Sequence, residues 1–588
     1  MRCTFSVIAA AALVPGLLAA TASADEHDPR IGLGAGWLDA EEASSNMELL
    51  SHSDKPTGFV NPSSPGALGF ANSDLAFGGG HAYVGNFRGF LVYDLADPAE
   101  PVLTTTVLCP ASSGQSDVTY YEGLLFVSVE NGGRVDCSTD SSQTLFRGVR
   151  IFDVSDVSNP VQVAAVQTCR GSHTHTLVTD PNDPDNVYIY NSGIAGVRSA
   201  AQLEGCTNTP GGNNPDAFLD EDGNPIFTSR FMVEVIKVPL AAPETAEVVN
   251  EARLMEDFET GNQHGLWPGG NHGPGTQSTT ATDACHDITA YPEVGLAAGA
   301  CEGNGILIDI SDPADPVRVD EVIDPNFAYW HSATFNNDGT KVVFTDEWGG
   351  GTSARCRPTD PVNWGANAIF DIVDGKMELA SYYKLPVPQT NQENCVAHNG
   401  SIVPVPGRDI MVQAWYQGGI SVYDFTDSAS PTEIAYFDRG PMHPTSLQPS
   451  GFWSAYYYNG LVYGSEIGRG FDTFALTESD DLARAELDVA ALVEFDDFNP
   501  QHQPRADWAS SFEFVRAKFA QALRTDTMSE DAVREVGDKI DRAERFADGP
   551  QRRAAVAQLR AATNQLDDSV QRQAELSEAL DDLADELS

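Results

Sequence analysis

Positive charge is the component that this sequence has least of. Its 34 Lys and Arg residues stand against 85 Asp and Glu residues, which gives a formal net charge of −51. A strongly negative surface repels nucleic acids and anionic membranes, so nucleic acid is excluded as a partner. Solubility is the simplest interpretation of the charge, and weak collection of divalent cations is the functional alternative.

Long apolar runs are also missing after the N-terminus. Arg2, the apolar segment Val7–Ala20 and the small residues Ala22-Ser23-Ala24 form the pattern of a secretory signal peptide. We therefore expect cleavage near Ala24 and export, either secreted or periplasmic. No later segment approaches the roughly 20 apolar residues that a membrane helix needs, so membrane insertion is not expected.

The common catalytic motifs are absent as well. The sequence contains no Gly-x-Ser-x-Gly elbow, no P-loop and no His-Glu-x-x-His. The sequence therefore predicts no particular reaction from a local motif, and any chemistry has to come from residues that the fold brings together.

One phrase recurs along the chain: an aliphatic strand, an Asp/Ser/Pro turn, then a second strand. The clearest copies begin at Phe90, Val149, Ile306 and Ile420, and a degenerate copy begins at Phe231. Alternating apolar and polar residues are typical of strands, and the Asp/Ser/Pro cluster is typical of a turn. This phrase resembles the LVIVD repeat, and the resemblance covers roughly residues 70 to 480.

A hairpin precedes each phrase, so one unit comprises four strands, A to D. Seven units follow one another, and their first residues are Ser73, Ser116, His173, His286, His331, His398 and Trp453. A lone unit cannot bury both of its faces, so the units must stack. The sequence therefore predicts an all-β fold, a seven-bladed β-propeller, followed by a small C-terminal α-helical domain.

The predicted boundaries follow composition. We expect a signal peptide (1–24), an N-terminal extension (25–57), the propeller (58–494), a linker (495–506) and a helical domain of three helices (507–588). The ring has to close, and either the residues from Gly58 to Phe70 or the segment after Gly470 could complete a shared blade.

The alignment of the seven units places histidine at one equivalent position in four successive units, at His173, His286, His331 and His398. Strand A borders the central channel of a propeller, so the four imidazoles should form an arc at one mouth. Imidazole is the commonest protein ligand of Zn, Cu and Fe, which makes one such transition metal ion the candidate cofactor.

Further histidines and carboxylates are predicted near the same mouth. His175, Glu347 and Glu466 are additional candidate ligands, and Glu130, Glu347 and Glu466 are candidate general bases. His264, His272 and His443 fall in connections on the same face. The alternative is structural: a repeat can keep a histidine at a fixed place only to hydrogen-bond the neighbouring blade.

Nine cysteines are present, and Cys3 leaves with the predicted signal peptide. Eight remain, an even number that favours disulfides in an exported protein. The loop positions predict the pairs Cys109–Cys137, Cys169–Cys206, Cys285–Cys301 and Cys356–Cys395. The alternative is that some of these cysteines are buried and free.

Two functions remain open at this point. The first is an exported binding or scaffold protein whose histidine-rich face holds a metal ion and a protein or small-molecule partner. The second is a secreted metalloenzyme of oxidase or hydrolase type that uses a histidine-ligated metal at the channel. The sequence names neither the substrate nor the metal.

Overall fold

A computed structural model describes residues 27–109, 114–138, 145–208, 218–224 and 226–588. The predicted signal peptide (1–24) lies outside the described residues. Seven antiparallel sheets of four principal strands surround one axis, and the innermost strand of each sheet packs against that of the next. The last innermost strand packs against the first, so the ring is closed. The predicted seven-bladed propeller is confirmed.

The blades are built in chain order, from the axis outward. The first blade consists of β3 (Asn72–Gly78), β4 (His81–Asn86), β5 (Gly89–Asp94) and β6 (Val102–Leu108). The second consists of β7 (Val118–Tyr121), β8 (Leu124–Arg134), β9 (Leu145–Asp153) and β10 (Val161–Gln167). The third consists of β11 (Thr174–Thr179), β12 (Asn186–Ser192), β13 (Val233–Pro239) and β14 (Glu247–Ala252). A small hairpin, β15 (Gly270–Asn271) and β16 (Ser278–Thr279), precedes the fourth blade.

The remaining blades repeat this order. The fourth blade consists of β17 (Asp287–Tyr291), β18 (Leu296–Cys301), β19 (Asn304–Asp309) and β20 (Val317–Val322), and the fifth of β21 (Trp330–Phe335), β22 (Lys341–Asp346), β23 (Asn367–Val373) and β24 (Lys376–Tyr383). The sixth consists of β25 (Gly400–Val403), β26 (Ile410–Ala414), β27 (Ile420–Asp424) and β28 (Thr432–Arg439). The seventh contains β29 (Phe452–Tyr458), β30 (Leu461–Glu466) and β31 (Gly470–Leu476).

The burial of each strand follows its distance from the axis. In the first blade the inner strand β3 is buried along its whole length, whereas the outer strand β6 alternates between exposed and half-buried residues. Inner strands are packed between neighbouring blades on both faces, while an outer strand has solvent beside it. The core is therefore a series of apolar layers between adjacent blades.

The ring closes through a strand that the sequence analysis placed in the N-terminal extension. β2 (Met47–Asp54) pairs antiparallel with β31 and supplies the outer strand of the seventh blade. β1 (Glu42–Ser45) adds a fifth strand to the sixth blade. The segment after Gly470 does take part in closure, but its partner is β2 and not the stretch from Gly58 to Phe70.

The closing pair of strands carries a charge cluster around the buried Asp472. His52 and Asp472 are partners in the register, and His52 Nδ1 lies 2.6 Å from Asp472 Oδ1. Arg439 donates to both oxygens of Asp472, at 2.6 and 3.1 Å. Burial lowers the pKa of His52, but the hydrogen bond and the charge of Asp472 outweigh it, so the net shift of this pKa is upward.

We expect this contact to make closure dependent on pH. Because the folded pKa of His52 is raised, its stabilisation is full below the unfolded pKa of about 6.5 and is lost as the pH rises through the folded value. The unfolding free energy of the wild type should exceed that of His52→Gln by about 1 kcal/mol at acidic pH, and by less at about pH 9. Denaturant unfolding of both proteins across this range measures the difference, and a difference that does not change with pH would refute the assignment.

The predicted linker is a packed segment. β32 (Asp497–Phe498) pairs with β3, and the residues after it cross the mouth of the channel opposite the histidines. The Asn499 side chain bonds both backbone groups of Tyr120, and Gln503 does the same for Phe335. Gln501 reaches Asp74 at 2.8 Å. This end of the channel is therefore capped by side-chain amides.

Five helices follow the last blade: α1 (Arg484–Ala490), α2 (Phe512–Arg524), α3 (Glu530–Ala547), α4 (Arg552–Thr563) and α5 (Gln571–Glu586). The expectation of three helices in 507–588 is wrong, because four lie there. Ser529 caps a new helix by accepting from Ala532 N, and the Gly549-Pro550 pair separates α3 from α4. No helix in the described part of the chain is long and apolar enough to cross a membrane.

Four disulfides join connections at the mouth of the channel where the histidines lie. They pair Cys109 with Cys137, Cys169 with Cys206, Cys285 with Cys301, and Cys356 with Cys395, which are the pairs that the loop positions predict. Closing such loops restricts the unfolded chain and contributes about 2–4 kcal/mol each. The connections that carry the site are thus held covalently.

Candidate metal site at the channel mouth

Four imidazole rings lie side by side at one mouth of the channel. They belong to His173, His286, His331 and His398, here called the histidine row, and all are buried. Successive ring centroids along the row are 4.4, 4.1 and 4.3 Å apart. Each histidine stands at or just before the start of an innermost strand, so the repeat of the blades places residues from four separate parts of the chain in contact.

Two groups of ligand atoms form along the row. One comprises His286, Asp287 and His331, and the other comprises His331, Glu347 and His398. Within each group the three ligand atoms lie within 4.8 Å of one another, and all these residues are buried. Zn–N bonds are about 2.0–2.1 Å long, so each group needs only a small contraction to hold an ion.

Glu347 lies between the histidine row and the space above the row. It follows β22 directly, and its two carboxylate oxygens each lie 3.9 Å from an imidazole Nε2, one from His331 and one from His398. Tyr416 donates to Glu347 Oε1 at 2.6 Å and orients the carboxyl group. Burial raises the pKa of Glu347 to about 7, so its charge is sensitive to any cation nearby.

Three imidazoles of the row, those of His286, His331 and His398, have lowered pKa values. Burial lowers the pKa of His398 to about 3, and burial together with the neighbouring His286 and His398 lowers the pKa of His331 well below its usual value. Burial and His173 also lower the pKa of His286. A neutral imidazole keeps a lone pair on one nitrogen, which is the form that binds a metal.

The hydrogen bonds of His398 leave one nitrogen free for a ligand. His398 Nδ1 contacts the carbonyl oxygen of Trp453, while Nε2, which faces Glu347, has no hydrogen-bond partner among the described residues. Metal-binding histidines typically donate from one nitrogen to a carbonyl or carboxylate and bind through the other. Asp287 Oδ2 is likewise buried without a partner there. The chain therefore fits a transition metal ion.

A cavity of about 510 Å³ opens above the row. His173, His286 and Glu347 form its floor, and its walls include the aromatic residues Phe87, Tyr329, Tyr416 and Trp453. Pockets of this size, mainly apolar with a few converging polar groups, are typical small-molecule sites. The arrangement can present a metal ion to a small molecule or to a side chain of a partner.

Gly351 makes room for the carboxylate of Glu347. A Cβ at this position would lie 2.3 Å from Tyr416 Oη and 2.8 Å from Glu347 Oε1, and its φ of +61° disfavours other residues. We expect Gly351→Ala to lower the unfolding free energy by about 2–4 kcal/mol, through backbone strain and displacement of Tyr416. The matched control is Gly350→Ala, which has a φ of +60° and nothing within 4 Å. Thermal unfolding that ranks the two variants equal would contradict the clash.

The other predicted ligands lie apart from the two groups. His175 Nδ1 lies 2.7 Å from Ser128 Oγ between two blades. Glu466 accepts hydrogen bonds from Ser450 and from Arg469, so its oxygens are already used. Glu130 Oε2 lies 3.2 Å from His173 Nδ1, at the end of the histidine row.

The histidines of the long connections have local roles. His264 packs 4.8 Å from Phe231, ring to ring, and His272 stacks on Trp267 at 3.9 Å. His443 Nδ1 lies 2.9 Å from Ser446 Oγ in an exposed loop. The structure brings none of these three into the two ligand groups.

Sequence reasoning missed Asp287 and Tyr416. A signal for Asp287 exists: the residue after each unit's first residue is polar in all seven units, namely Asp74, Asp117, Thr174, Asp287, Ser332, Asn399 and Ser454. These residues line the channel below the histidine row. Burial and the charges of Asp74 and Asp287 raise the pKa of Asp117 well above its usual value. The channel is therefore acidic, which favours a cation.

The first blade provides a match to a known repeat. The model of the LVIVD repeat matches residues 71–108, which span β3 to β6. The first blade is therefore similar to the LVIVD repeat. The strand-turn-strand phrase of this blade returns in later blades, at Val149, Ile306 and Ile420, which explains why one structural unit recurs around the ring.

No curated protein matches the chain. Among solved structures, similar ones include a protein of Bacteroides uniformis proposed to be a 6-phosphogluconolactonase (TM-score 0.36, 10% identity, 64% of this chain and 84% of that one). Others are the computationally designed Ika8 protein (0.33, 11%, 69% and 96%) and hydrazine synthase of Kuenenia stuttgartiensis (0.37, 11%, 70% and 95%). At these TM-scores the similarities carry no argument about chemistry.

Proposed function

We propose that this protein is an exported metal-binding propeller, whose channel mouth holds a transition metal ion through His331, Glu347 and His398. The observation that carries the proposal is the second ligand group: three buried ligand atoms within 4.8 Å of one another. Two imidazoles and one carboxylate suit Zn, Cu or Fe(II) rather than Ca or Mg, which prefer oxygen ligands.

The buried carboxylate is a further reason to propose a cation here. Glu347 is buried, accepts a hydrogen bond from Tyr416 and contacts no Lys or Arg among the described ion pairs. An ionised carboxylate without a counter-ion costs several kcal/mol to bury. A metal ion between Glu347 and the two imidazoles would remove this cost and lower the pKa of Glu347.

The cavity above the site supports a binding role. It places aromatic walls beside Glu347 and offers about 510 Å³, enough for a small organic molecule or a projecting side chain. We propose that the ligand is a small molecule, or a group on a protein partner, that contacts the metal through one polar atom. The strongly negative charge of the chain makes a nucleic acid ligand unfavourable.

Export is part of the proposal. Four disulfides are typical of proteins outside the reducing cytosol, and the N-terminal sequence has the pattern of a signal peptide. Disulfides that brace the connections at the mouth would also keep the cavity rigid. A rigid cavity loses less entropy when a ligand binds.

A secreted metalloenzyme is the second candidate function, and Glu347 is the observation that favours it. In this alternative the imidazoles hold the metal and Glu347 is not a ligand, so its carboxyl group, which has a pKa of about 7 and lies beside the cavity, can accept and return a proton near neutral pH. Tyr416 would hold its orientation, and the aromatic walls would exclude water. A bound metal would supply Lewis acidity or redox chemistry at this place.

Elemental analysis of the full chain, produced without a histidine tag and after extensive dialysis, tests the proposal. We expect at least one equivalent of Zn, Cu or Fe per chain. Protein that is folded by circular dichroism, yet retains no metal after incubation with each of the three ions, would refute it. Turnover of a substrate that disappears with the metal would favour the enzyme over the binding protein.

A further inference from the structure

We propose that the histidine row holds two metal ions side by side, with His331 shared between them. This inference rests on the proposed function, since it adds a second ion to the first. The first ion lies among His331, Glu347 and His398, and the second among His286, Asp287 and His331. The site would then be a dinuclear transition-metal centre.

The length of the row is the first argument. A single ion with bonds of about 2 Å gathers ligand atoms from within roughly 3–4 Å of one another. The rings of His286, His331 and His398, whose successive centroids are 4.1 and 4.3 Å apart, extend beyond one such sphere. The ligand atoms accordingly fall into two groups of three instead of one larger group.

The unpartnered atoms give an independent argument. His398 Nε2 and Asp287 Oδ2 are both buried without a hydrogen-bond partner among the described residues. His398 belongs only to the first group and Asp287 only to the second. A buried polar atom without a partner costs about 1–3 kcal/mol, so one ion would satisfy one of these atoms and leave the other unsatisfied. Two ions satisfy both.

The charges of the ligands also support two metal ions. Each group contains one buried carboxyl group, that of Glu347 in the first and that of Asp287 in the second. Arg or Lys side chains pair with neither carboxylate among the described ion pairs. The two carboxylates and a His331 imidazolate together carry three negative charges, which offset most of the four positive charges of two divalent ions.

His331 can serve both ions as an imidazolate, in which each ring nitrogen binds one ion and the N–H proton leaves to solvent when the second ion binds. Its Nε2 lies 3.9 Å from Glu347 Oε2, in the first group, and its Nδ1 lies 3.5 Å from Thr345 Oγ1. Ions bound to the two nitrogens of one shared ring would be roughly 6 Å apart, given bonds of about 2 Å. Such ions interact magnetically when they are paramagnetic.

The metal count of variants tests the inference. Untagged full-length protein is saturated with Cu²⁺, desalted and analysed for metal and for protein. We expect two equivalents in the wild type, one in His398→Ala and one in Asp287→Asn. The matched control is His175→Gln, which alters a buried imidazole outside both groups and should keep two equivalents. Circular dichroism checks the fold of each variant.

Electron paramagnetic resonance of the Cu²⁺-loaded wild type needs no variant. Two Cu²⁺ ions a few ångströms apart should give a dipole-broadened spectrum and a half-field transition, and half loading should restore narrower lines. One equivalent with an isolated Cu²⁺ spectrum would overturn the dinuclear centre and leave the proposed function standing. No retained metal at all would overturn the proposed function itself.

Discussion

Replacing His331 with alanine is expected to weaken metal binding by at least 100-fold. His331 is the one residue present in both ligand groups, so its loss leaves each group with two ligands. Substitution of residues that merely orient a ligand costs about 10–100-fold in metal affinity, and loss of a ligand should cost more. Competition with a chromophoric chelator measures the affinity of the variant and of the wild type.

The control for His331→Ala is His175→Ala. Both residues are fully buried histidines with lowered pKa values, but His175 contacts Ser128 and lies outside the two groups. We expect the control to lose stability, since it leaves a cavity between blades, and to keep its metal affinity. Equal affinities of the His331 and His175 variants would show that the histidine row is structural.

Removing the strand that closes the ring is expected to have the largest effect on stability. A chain that begins at Lys55 lacks β2, so β31 becomes an exposed edge in a blade of three strands, and the buried side chain of Met47 is lost from the core. Exposed edges promote aggregation, and incomplete blades leave apolar surface uncovered. We expect this protein to aggregate, or to unfold on the order of 10 °C below the wild type.

A chain that begins at Asn46 is the matched control for this truncation. It also loses β1 and the ion pair of Arg30 with Glu433, but it keeps β2. We expect it to remain monomeric, with a midpoint of thermal unfolding much closer to that of the wild type. Similar midpoints for the two truncated chains would mean that β2 does not close the propeller.

The repeat made the blades predictable. The Asp/Ser/Pro turn after an aliphatic strand occurs at a constant place in each unit, so the alignment located the innermost strand of every blade. The same alignment located the histidine row, because a residue at the start of an innermost strand faces the channel mouth. The disulfide pairs followed from which connections share a face.

Closure was harder to predict, because it depends on a partner distant in sequence. His52 and Asp472 are separated by 420 positions, and the segment around His52 carries no turn phrase or strong alternation. Nothing local distinguishes such a strand from an extension. The segment with Asn499, Gln501 and Gln503 posed the same difficulty: its Pro- and Gln-rich composition is typical of a linker, yet its amides bond three separate blades.

The alignment of the units could not predict the roles of Asp287 and Tyr416 either. Asp287 follows a predicted ligand, but the equivalent polar residues of the other units are buried as well, and only its distance from His286 and His331 in the folded chain distinguishes it. Tyr416 comes from a connection after β26, and its contact with Glu347 depends on how two blades pack together. Contacts between blades are set by tertiary packing, which the repeat does not encode.

Anomalous X-ray diffraction from crystals of the untagged full chain tests the central claim most directly. Data collected above and below the absorption edge of the metal found by elemental analysis locate the ion without any assumption about its ligands. We predict an anomalous peak within about 2.0–2.3 Å of His331, Glu347 and His398 ligand atoms. A well-ordered histidine row without any such peak, in crystals grown from metal-saturated protein, would contradict the claim.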